Sequence, residues 1–321
     1  MSGLPTLEEI EAVAPFVDGL VPPTPQYRWP LLSARAGCEL WVKHENQTAI
    51  GSFKIRGALT YLARQREQSP NFRCVVAATR GNFGQAVAYA ARAQGIAAII
   101  VVPVGNSPMK NAAMRALGAE LVEAGEDFQA ALEHAAKLAA DRAAHYIPSF
   151  HRDLVLGNAV SSLHFLRTAP PLDAVYAPIG LGSGVCGLMA ARDALGLPTR
   201  IVGVAAAAAP AIGLSFAAQE IRTHPATTRI ADGMACSTPD REAFGHVLKG
   251  VERIVTVTDD EIEAAIRAYF TDTRAIAEGA AGAALAAILQ DKAAVAGRRI
   301  GVVLTGRNID DEAWTRIVGA S

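Results

Sequence analysis

The sequence has no excess of positive charge, no signal-peptide pattern and no long hydrophobic run. Its 321 residues include 30 Lys and Arg against 31 Asp and Glu, so the basic balance typical of nucleic-acid binding is missing. The N-terminus is acidic, and the longest nearly apolar run, residues 201–216, is too short for a membrane span and is interrupted by Pro210 and Ser215. We expect a cytoplasmic protein that binds neither nucleic acid nor membrane.

Patterned cysteines and a nucleotide P-loop are also missing. The four cysteines are scattered and form no CxxC pair, which indicates reduced, mostly buried thiols: Cys38, Cys74, Cys186 and Cys236. The sequence contains no GxxxxGK[ST] motif, which excludes a P-loop nucleotide site. A disordered chain is excluded because 51% of the residues are hydrophobic and only 19% are charged.

Short apolar segments alternate with helical ones along the chain. Strands are predicted at 75–78, 97–102, 174–177, 201–204 and 300–304, and helices at 85–94, 108–117, 128–138, 185–195 and after the capping box of Thr258 and Glu261. The alternation predicts an α/β protein with mostly parallel sheets and flanking helices. The length favours two domains, a larger one of residues 1–73 and 151–321 and a smaller one of residues 74–150.

Ligands of parallel sheets bind where the strands end. Three turns that contain glycine follow strand ends in this chain, at residues 79–84, 180–187 and 305–308. We therefore look for the functional residues in these turns and in the segments that come close to them.

A lysine lies among small residues in the segment Gly51-Ser52-Phe53-Lys54-Ile55-Arg56-Gly57-Ala58. Most lysines are solvated, but here Phe53 can wall a site, and Gly57 and Ala58 allow another element to approach closely. Burial at such a place lowers the pKa of a lysine and lets it form a Schiff base with an aldehyde.

Glycines are concentrated in Gly180-Leu181-Gly182-Ser183-Gly184, between a predicted strand and a predicted helix. Their converging amides and the helix N-terminus suit a phosphate, although a plain tight turn is the alternative. No acidic residue follows at the distance at which a dinucleotide-binding fold binds the ribose, so a dinucleotide is disfavoured.

The other two turns each place a single polar side chain at a strand end. In Thr79-Arg80-Gly81-Asn82-Phe83-Gly84, the amide of Asn82 either donates to a phenolic or carboxylate oxygen or belongs to a turn residue with left-handed backbone. In Leu304-Thr305-Gly306-Arg307-Asn308, the hydroxyl of Thr305 either contacts a ligand or is a simple helix N-cap.

Together, these four segments resemble the fold-type II pyridoxal-phosphate enzymes, which share a two-domain fold like that of the tryptophan synthase β subunit. Within them, the chain resembles the serine/threonine dehydratase and serine racemase branch. GSFKIRGA is similar to the Schiff-base lysine motif, TRGNFGQ to the asparagine loop, PIGLGSGVCG to the phosphate loop, and LTGRN to the motif at the pyridine nitrogen. Their order and spacing agree along almost the whole chain.

The resemblance implies pyridoxal 5'-phosphate as the cofactor and Lys54 as the catalytic residue that carries it and acts as the base at Cα. It implies these cofactor contacts: Phe53 at the ring, Asn82 at the phenolic oxygen, Thr305 at the pyridine nitrogen, and Gly180, Leu181, Gly182, Ser183 and Gly184 at the phosphate. Glu278 aligns with a family acid near the pocket, with an exposed acid at a helix start as the alternative. The substrate is expected on Ser52, Thr79, Arg80, Gly81 and Phe83.

The implied reaction is the loss of water and then ammonia from a β-hydroxy-α-amino acid, which gives a 2-keto acid in amino-acid catabolism. A neutral hydroxyl at the pyridine nitrogen agrees with elimination, because it does not enforce a protonated ring that would stabilise a long-lived carbanion. A β-replacement enzyme is an alternative. A non-catalytic binding protein is disfavoured, because Lys54, Asn82 and Thr305 are all present.

Two departures from the family pattern change the expected properties. Arg80 stands where the racemase branch has a serine that acts as a second acid, and because an arginine stays protonated we expect little or no racemase activity. Residues 205–211 carry no oxygen side chain where relatives often hold a divalent ion, so we predict no metal, although Asp232 keeps a family-like context.

Arg80 and Arg307 leave the substrate open. Either one of them binds a second carboxylate, which favours 3-hydroxyaspartate, or both pair with nearby acids. In the second case the substrate is threonine or serine, or a bulkier analogue, and the apolar Phe83 favours threonine or a bulkier β-hydroxy amino acid such as phenylserine. We expect the second case, because most arginines are structural or solvated. The resemblance also implies a homodimer.

Overall fold

Strands and helices alternate along the chain in the computed structural model, which describes residues 3–319. The strands are β1 (Gln26–Arg28), β2 (Glu39–Lys43), β3 (Cys74–Ala78), β4 (Ala97–Val102), β5 (Glu120–Glu123), β6 (His145–Tyr146), β7 (Ala174–Pro178), β8 (Arg200–Ala206), β9 (Arg253–Val257) and β10 (Arg299–Val303). The helices are α1 (Leu7–Leu20), α2 (Pro30–Ala36), α3 (Lys54–Gln68), α4 (Asn82–Ala93), α5 (Pro108–Ala116), α6 (Phe128–Asp141), α7 (Arg152–Thr168), α8 (Ser183–Ala194), α9 (Ala211–Ala218), α10 (Arg241–Gly250), α11 (Asp259–Thr273), α12 (Gly279–Gln290), α13 (Lys292–Val295) and α14 (Asp311–Gly319). Within this part of the chain, no helix is long and apolar enough to cross a membrane.

The strands form two sheets with mostly parallel pairing, as predicted. One sheet has six strands in the order β1-β2-β10-β7-β8-β9, and the other has four strands in the order β5-β4-β3-β6. Strand β1 pairs with β2 in the antiparallel direction, while β10, β7, β8 and β9 continue the sheet in parallel. The strands of the smaller sheet lie between residues 74 and 146, inside the segment predicted as the smaller domain. The domain boundaries themselves stay a prediction.

The local predictions agree with the structure in position and differ at the ends of elements. Strand β4 coincides with the predicted range, and it is buried after its first residue, as an unbroken apolar run requires. Thr258 and Glu261 form the expected capping box at the start of α11. The helices predicted to begin at 85 and 185 begin at Asn82 and Ser183, because residues of the preceding loops form their first turns.

Two glycines bring α3 and α7 into close contact. A Cβ atom on Gly157 would lie 2.3 Å from the carbonyl oxygen of Arg56, and one on Gly57 would lie 2.7 Å from the carbonyl oxygen of Leu154. No larger residue fits at either position, which confirms the expected close approach at Gly57. The contact holds α3 against α7 and thereby fixes Lys54, the first residue of α3.

Candidate active site

The carboxyl ends of β3, β7 and β10 open into one pocket. It is lined by nearly all of the predicted site residues: Phe53, Lys54, Thr79, Arg80, Gly81, Asn82, Phe83, Gly180, Leu181, Gly182, Ser183, Gly184, Glu278 and Thr305. The four segments that are distant in sequence therefore meet, as the rule for parallel sheets expects. Ser52 is the exception: it does not line the pocket, it is fully buried, and its hydroxyl accepts a hydrogen bond from the amide of Lys54 at 3.4 Å.

The amine of Lys54 points into this pocket. Its Nζ donates to Oγ of Ser183 at 3.2 Å and lies 5.0 Å from the centre of the Phe53 ring. Burial lowers the pKa of Lys54, while the nearby Cys236 and Glu278 act in the opposite direction. A lowered pKa increases the fraction of neutral amine, which is the form that attacks a carbonyl or accepts a proton.

A buried ion pair anchors the helix that carries Lys54. Arg56 is fully buried, and its Nε donates to Oε2 of Glu45 at 2.9 Å. The other carboxylate oxygen of Glu45 accepts hydrogen bonds from the hydroxyls of Thr24 at 2.6 Å and Ser161 at 2.5 Å. Because both charges are paired and hydrogen-bonded, the pair tolerates burial and holds the first turn of α3 in one position.

The loop from Gly180 to Gly184 forms a cradle for an anion at the start of α8. Across residues 3–319, none of its backbone amides has a hydrogen-bond acceptor. Gly182 has a φ of +99°, and a Cβ atom on Gly180 would lie 2.4 Å from the carbonyl oxygen of Gly233, so both positions require glycine. Free amides, a closely packed loop and the N-terminus of a helix of 12 residues suit a phosphate group.

The hydroxyl of Thr305 has no hydrogen-bond partner among the described residues. Its Oγ1 is buried and makes no hydrogen bond with any described residue, and the residue as a whole is only 8% exposed. The next helix, α14, begins at Asp311, so the interpretation of Thr305 as a helix N-cap is wrong. An unsatisfied buried hydroxyl costs about 1–3 kcal/mol, and a ligand atom in the pocket offers the missing partner.

Asn82 and Glu278 contact each other although they are far apart in sequence. Nδ2 of Asn82 lies 2.8 Å from each carboxylate oxygen of Glu278, and Oδ1 of Asn82 accepts from Asn308 at 2.6 Å. Asn82 begins α4 and does not have left-handed backbone, so the alternative interpretation as a left-handed turn residue is wrong. These contacts fix the orientation of its amide.

Glu278 is buried and lies at the start of α12, so it is not the exposed helix-start acid of the alternative interpretation. Burial and the negative charge of Asp232 raise the pKa of Glu278 to about 7. The hydrogen bond from Asn82, the charge of Lys110 and the amide of Asn308 act in the opposite direction. Glu278 therefore titrates near neutral pH, next to the asparagine of the site.

The two arginines occupy different places. Arg80 is exposed and lines the pocket, whereas Arg307 does not line it and packs against Gly51. In the part of the chain that the structure describes, neither guanidinium forms an ion pair or a hydrogen bond through its side chain. The expectation that both pair with nearby acids is therefore wrong.

Several residues of the pocket had no signal in the sequence. Cys236, Ser149 and Asn158 all line it, and each comes from a segment without a recognised motif. The hydroxyl of Ser149 and Oδ1 of Asn158 are buried without a partner within residues 3–319. Burial raises the pKa of Cys236 to about 11, so its thiol is neutral although Lys54 and Arg80 lie near it. No local pattern around these positions gave a reason to select them.

These features fit pyridoxal phosphate, which needs a lysine amine, a cradle for its phosphate and a polar partner for its ring nitrogen. The fold and the site thus define a cofactor-dependent enzyme of fold type II. A family model described as "Pyridoxal-phosphate dependent enzyme" matches residues 17–306. The chain belongs to this family, and pyridoxal phosphate is its cofactor.

Known proteins are similar over nearly the whole chain. An L-threonine ammonia-lyase of Geobacter sulfurreducens is 33% identical over 287 residues, which cover 89% of this chain and 71% of the relative. An L-threo-3-hydroxyaspartate ammonia-lyase of Pseudomonas sp is 29% identical over 98% of this chain and 99% of the relative. A solved structure of threonine deaminase isoform 2 from Solanum lycopersicum, in its processed form, superposes with a TM-score of 0.88 at 26% identity, over 99% of this chain and 95% of that one.

Proposed function

We propose that the protein is a pyridoxal-phosphate-dependent ammonia-lyase that removes water and then ammonia from a β-hydroxy-α-amino acid. The observation that carries the proposal is the amine of Lys54, which has a lowered pKa and lies in a pocket together with the phosphate cradle and the Thr305 hydroxyl. The relatives named as threonine and hydroxyaspartate ammonia-lyases support the same reaction class.

We assign cofactor binding to one group of pocket residues and proton transfer to Lys54. The amides of Gly180 to Gly184 would hold the phosphate, the hydroxyl of Thr305 would pair with the ring nitrogen, and the amide of Asn82 would bind the phenolic oxygen. When bound, the cofactor supplies an aldehyde that reacts with amines and a ring that draws electrons from Cα. Nζ of Lys54 would take the proton from Cα, and the β carbon–oxygen bond would break. The proton lost from Cα balances the hydroxide lost from Cβ, so that one molecule of water departs.

The overall reaction balances without an oxidant or a second substrate. Water is lost in the elimination and added back in the hydrolysis that releases ammonia, so threonine gives 2-oxobutanoate and ammonia. We expect the α-carboxylate of the substrate on the loop of Thr79, Gly81 and Phe83, at the start of α4. The amides of Asn82 and Phe83 in this first helical turn have no acceptor within the described chain and suit a carboxylate.

The direct test is keto-acid release by the protein loaded with pyridoxal phosphate. The panel contains serine, threonine, 3-hydroxyaspartate and phenylserine, with threo and erythro forms where these exist. Release of keto acid and ammonia in equal amounts from at least one member is expected. If no member reacts in the presence of bound cofactor, the proposed reaction is wrong, and a β-replacement assay with an added thiol becomes the next experiment.

We further propose that the enzyme acts in the cytoplasm as a homodimer. Support comes from the family resemblance and from exposed apolar side chains on the consecutive elements α1, β1 and α2, namely Phe16, Leu20, Tyr27 and Leu31. Light scattering on the purified holoenzyme tests the assembly and is expected to give twice the chain mass of 33.6 kDa. A mass of one chain contradicts the dimer.

A further inference from the structure

The structure leaves one cation at the pocket without a partner. Arg80 is the second residue after the end of β3 and lines the pocket, and the residue is exposed. Its guanidinium forms no hydrogen bond or ion pair with any residue from 3 to 319. An arginine with no structural partner, at the carboxyl end of a parallel strand, is placed to contact a ligand.

The other cation that lines the pocket is Lys54, for which we propose the role of carrying the cofactor. Lys110 does not line the pocket, and it forms a buried ion pair with the carboxylate of Asp232. Glu278 is held by Asn82 at 2.8 Å, and its pKa responds to Lys110 and Asp232. The titratable group that responds to Arg80 is the neutral thiol of Cys236, whose pKa Arg80 lowers against the effect of burial. The charge of Arg80 therefore has no internal counterion.

The α-carboxylate of the substrate does not need this arginine. The first turn of α4, which spans 12 residues, offers the free amides of Asn82 and Phe83 next to the loop. Arg80 thus stays available for a second anionic group, and a guanidinium binds a carboxylate through two parallel hydrogen bonds. Cys236, Lys54 and Arg80 all line the same pocket, so a ligand at Lys54 shares this space with the guanidinium of Arg80.

We propose that Arg80 binds a carboxylate on the substrate side chain, which makes a 3-hydroxy amino dicarboxylic acid such as 3-hydroxyaspartate the preferred substrate. This inference rests on the proposed function and adds the substrate class. The reaction is balanced in the same way as for threonine: 3-hydroxyaspartate loses water, regains it on hydrolysis, and gives oxaloacetate and ammonia. The similarity to an L-threo-3-hydroxyaspartate ammonia-lyase over 98% of the chain agrees with it.

The test compares two substrates of equal carbon number in wild type, Arg80→Gln and Arg80→Lys holoenzymes. Wild type is expected to prefer 3-hydroxyaspartate over threonine in kcat/KM. Arg80→Gln should lower kcat/KM for 3-hydroxyaspartate by about 10- to 100-fold, mostly through KM, and change that for threonine by less than about 3-fold. Arg80→Lys should recover part of the loss, because the charge returns without the paired geometry.

Arg73→Gln is the matched control. Arg73 is also exposed and directly precedes β3. The substitution therefore removes the same charge at the opposite end of the same strand. Arg73→Gln is expected to leave kcat/KM unchanged for both substrates. Binding gives a second readout: succinate should protect the wild-type holoenzyme against thermal unfolding more than butyrate does, and Arg80→Gln should remove this difference.

Two results overturn the inference and leave the proposed function intact. One is a wild-type preference for threonine, serine or phenylserine over 3-hydroxyaspartate. The other is an equal loss of kcat/KM for 3-hydroxyaspartate and threonine in Arg80→Gln, which would assign Arg80 to the α-carboxylate that both substrates share. If wild type releases keto acid from no substrate, the proposed function fails, and the comparison of succinate with butyrate still decides whether Arg80 recognises a second carboxylate.

Discussion

At the scale of single residues, the site depends on a contact between two side chains that the sequence separates widely. The carboxylate of Glu278 accepts from Nδ2 of Asn82, and Asn308 holds the amide oxygen of the same asparagine. Asn82 is therefore oriented from two sides before it meets any ligand. We propose that Glu278 acts through Asn82 as a positioning residue, and its charge state near neutral pH is part of that arrangement.

Glu278→Gln should change how stability depends on pH. Because the pKa of Glu278 is raised from 4.5 to about 7, the folded protein holds a proton between these values that the unfolded chain has lost. Wild-type stability should thus fall as pH rises from about 4.5 to 7, by up to about 3 kcal/mol from this group, and the variant should not show this fall. Urea unfolding of the cofactor-free proteins at pH 5 and pH 8 measures it. A difference between the two proteins that is independent of pH contradicts the account.

The sequence predicted single residues well where a local motif carried the chemistry. Lys54, Asn82 and Thr305 each follow a recognisable segment, and all three line the pocket. Cys236 and Ser149 line it too, yet nothing local distinguishes them, because their place depends on how distant loops pack. The expectation that Arg80 and Arg307 pair with nearby acids was wrong for the same reason, since the packing of distant segments decides whether an acid lies within reach of a guanidinium.

At the scale of secondary-structure elements, two glycines flank α8 and offer two comparable positions, one at each end of the helix. Gly182 precedes the helix with a φ of +99°, and Gly196 follows it with a φ of +59°. A Cβ atom on Gly182 would lie 2.7 Å from Cβ of Ala243, whereas one on Gly196 would meet nothing within 4 Å. The backbone is left-handed at both ends, but only the first end belongs to the cradle.

Gly182→Ala should lose cofactor affinity, and Gly196→Ala should not. Both substitutions place an alanine in left-handed backbone and are expected to destabilise the fold by about 1 kcal/mol from this strain. In Gly182→Ala the added methyl group must also displace the loop from Ala243, so we expect a loss of at least about 10-fold in pyridoxal-phosphate affinity. Fluorescence titration of the cofactor-free proteins measures both affinities. Equal affinities for the two variants argue against a phosphate cradle at this loop.

The elements themselves were predictable because their signals are local. The strand of residues 97–102 and the capping box at Thr258 appear as expected, since an apolar run and a capped first turn depend on neighbours in sequence. The predicted starts of α4 and α8 lie a few residues too late. Glycine and asparagine are typical of loops, so the sequence pattern assigns the first helical turn to the preceding loop. The short strands at the sheet edges, such as β1 and β6, have weak patterns and depend on their pairing partners.

At the scale of the whole molecule, polar contacts join the part that contains the smaller sheet to the part that contains the larger one. Helix α5 and its N-cap provide two of them: Lys110 forms an ion pair with Asp232, and Ser107 contacts Asp310. The Lys110 side chain is almost fully buried, and the Asp232 side chain is one-third exposed. Burial alone would lower the pKa of Lys110, but the charge and hydrogen bond of Asp232, together with the charges of Glu278 and Asp310, outweigh burial and raise the pKa. The pocket lies next to this contact.

Asp232→Asn should weaken the contact between the two parts. It leaves the buried ammonium of Lys110 without its counterion, for which we expect a loss of about 1–3 kcal/mol in the free energy of unfolding. Glu123→Gln is the control, because the ion pair of Arg115 with Glu123 spans 3.7 Å between exposed side chains. That variant should lose less than about 0.5 kcal/mol. Urea unfolding measures both, and equal losses would show that the buried pair does not hold the two parts together.

The central claim is that Lys54 carries pyridoxal phosphate in this pocket, and the most direct test locates the attached cofactor. Borohydride reduction of the holoenzyme, followed by peptide mass mapping, fixes the phosphopyridoxyl group on the residue that holds it. We predict one group per chain, on Lys54, and Lys54→Ala should lack both this modification and keto-acid release. A group mapped to Lys110 or to another lysine, or a Lys54→Ala variant that keeps its activity, would contradict the account.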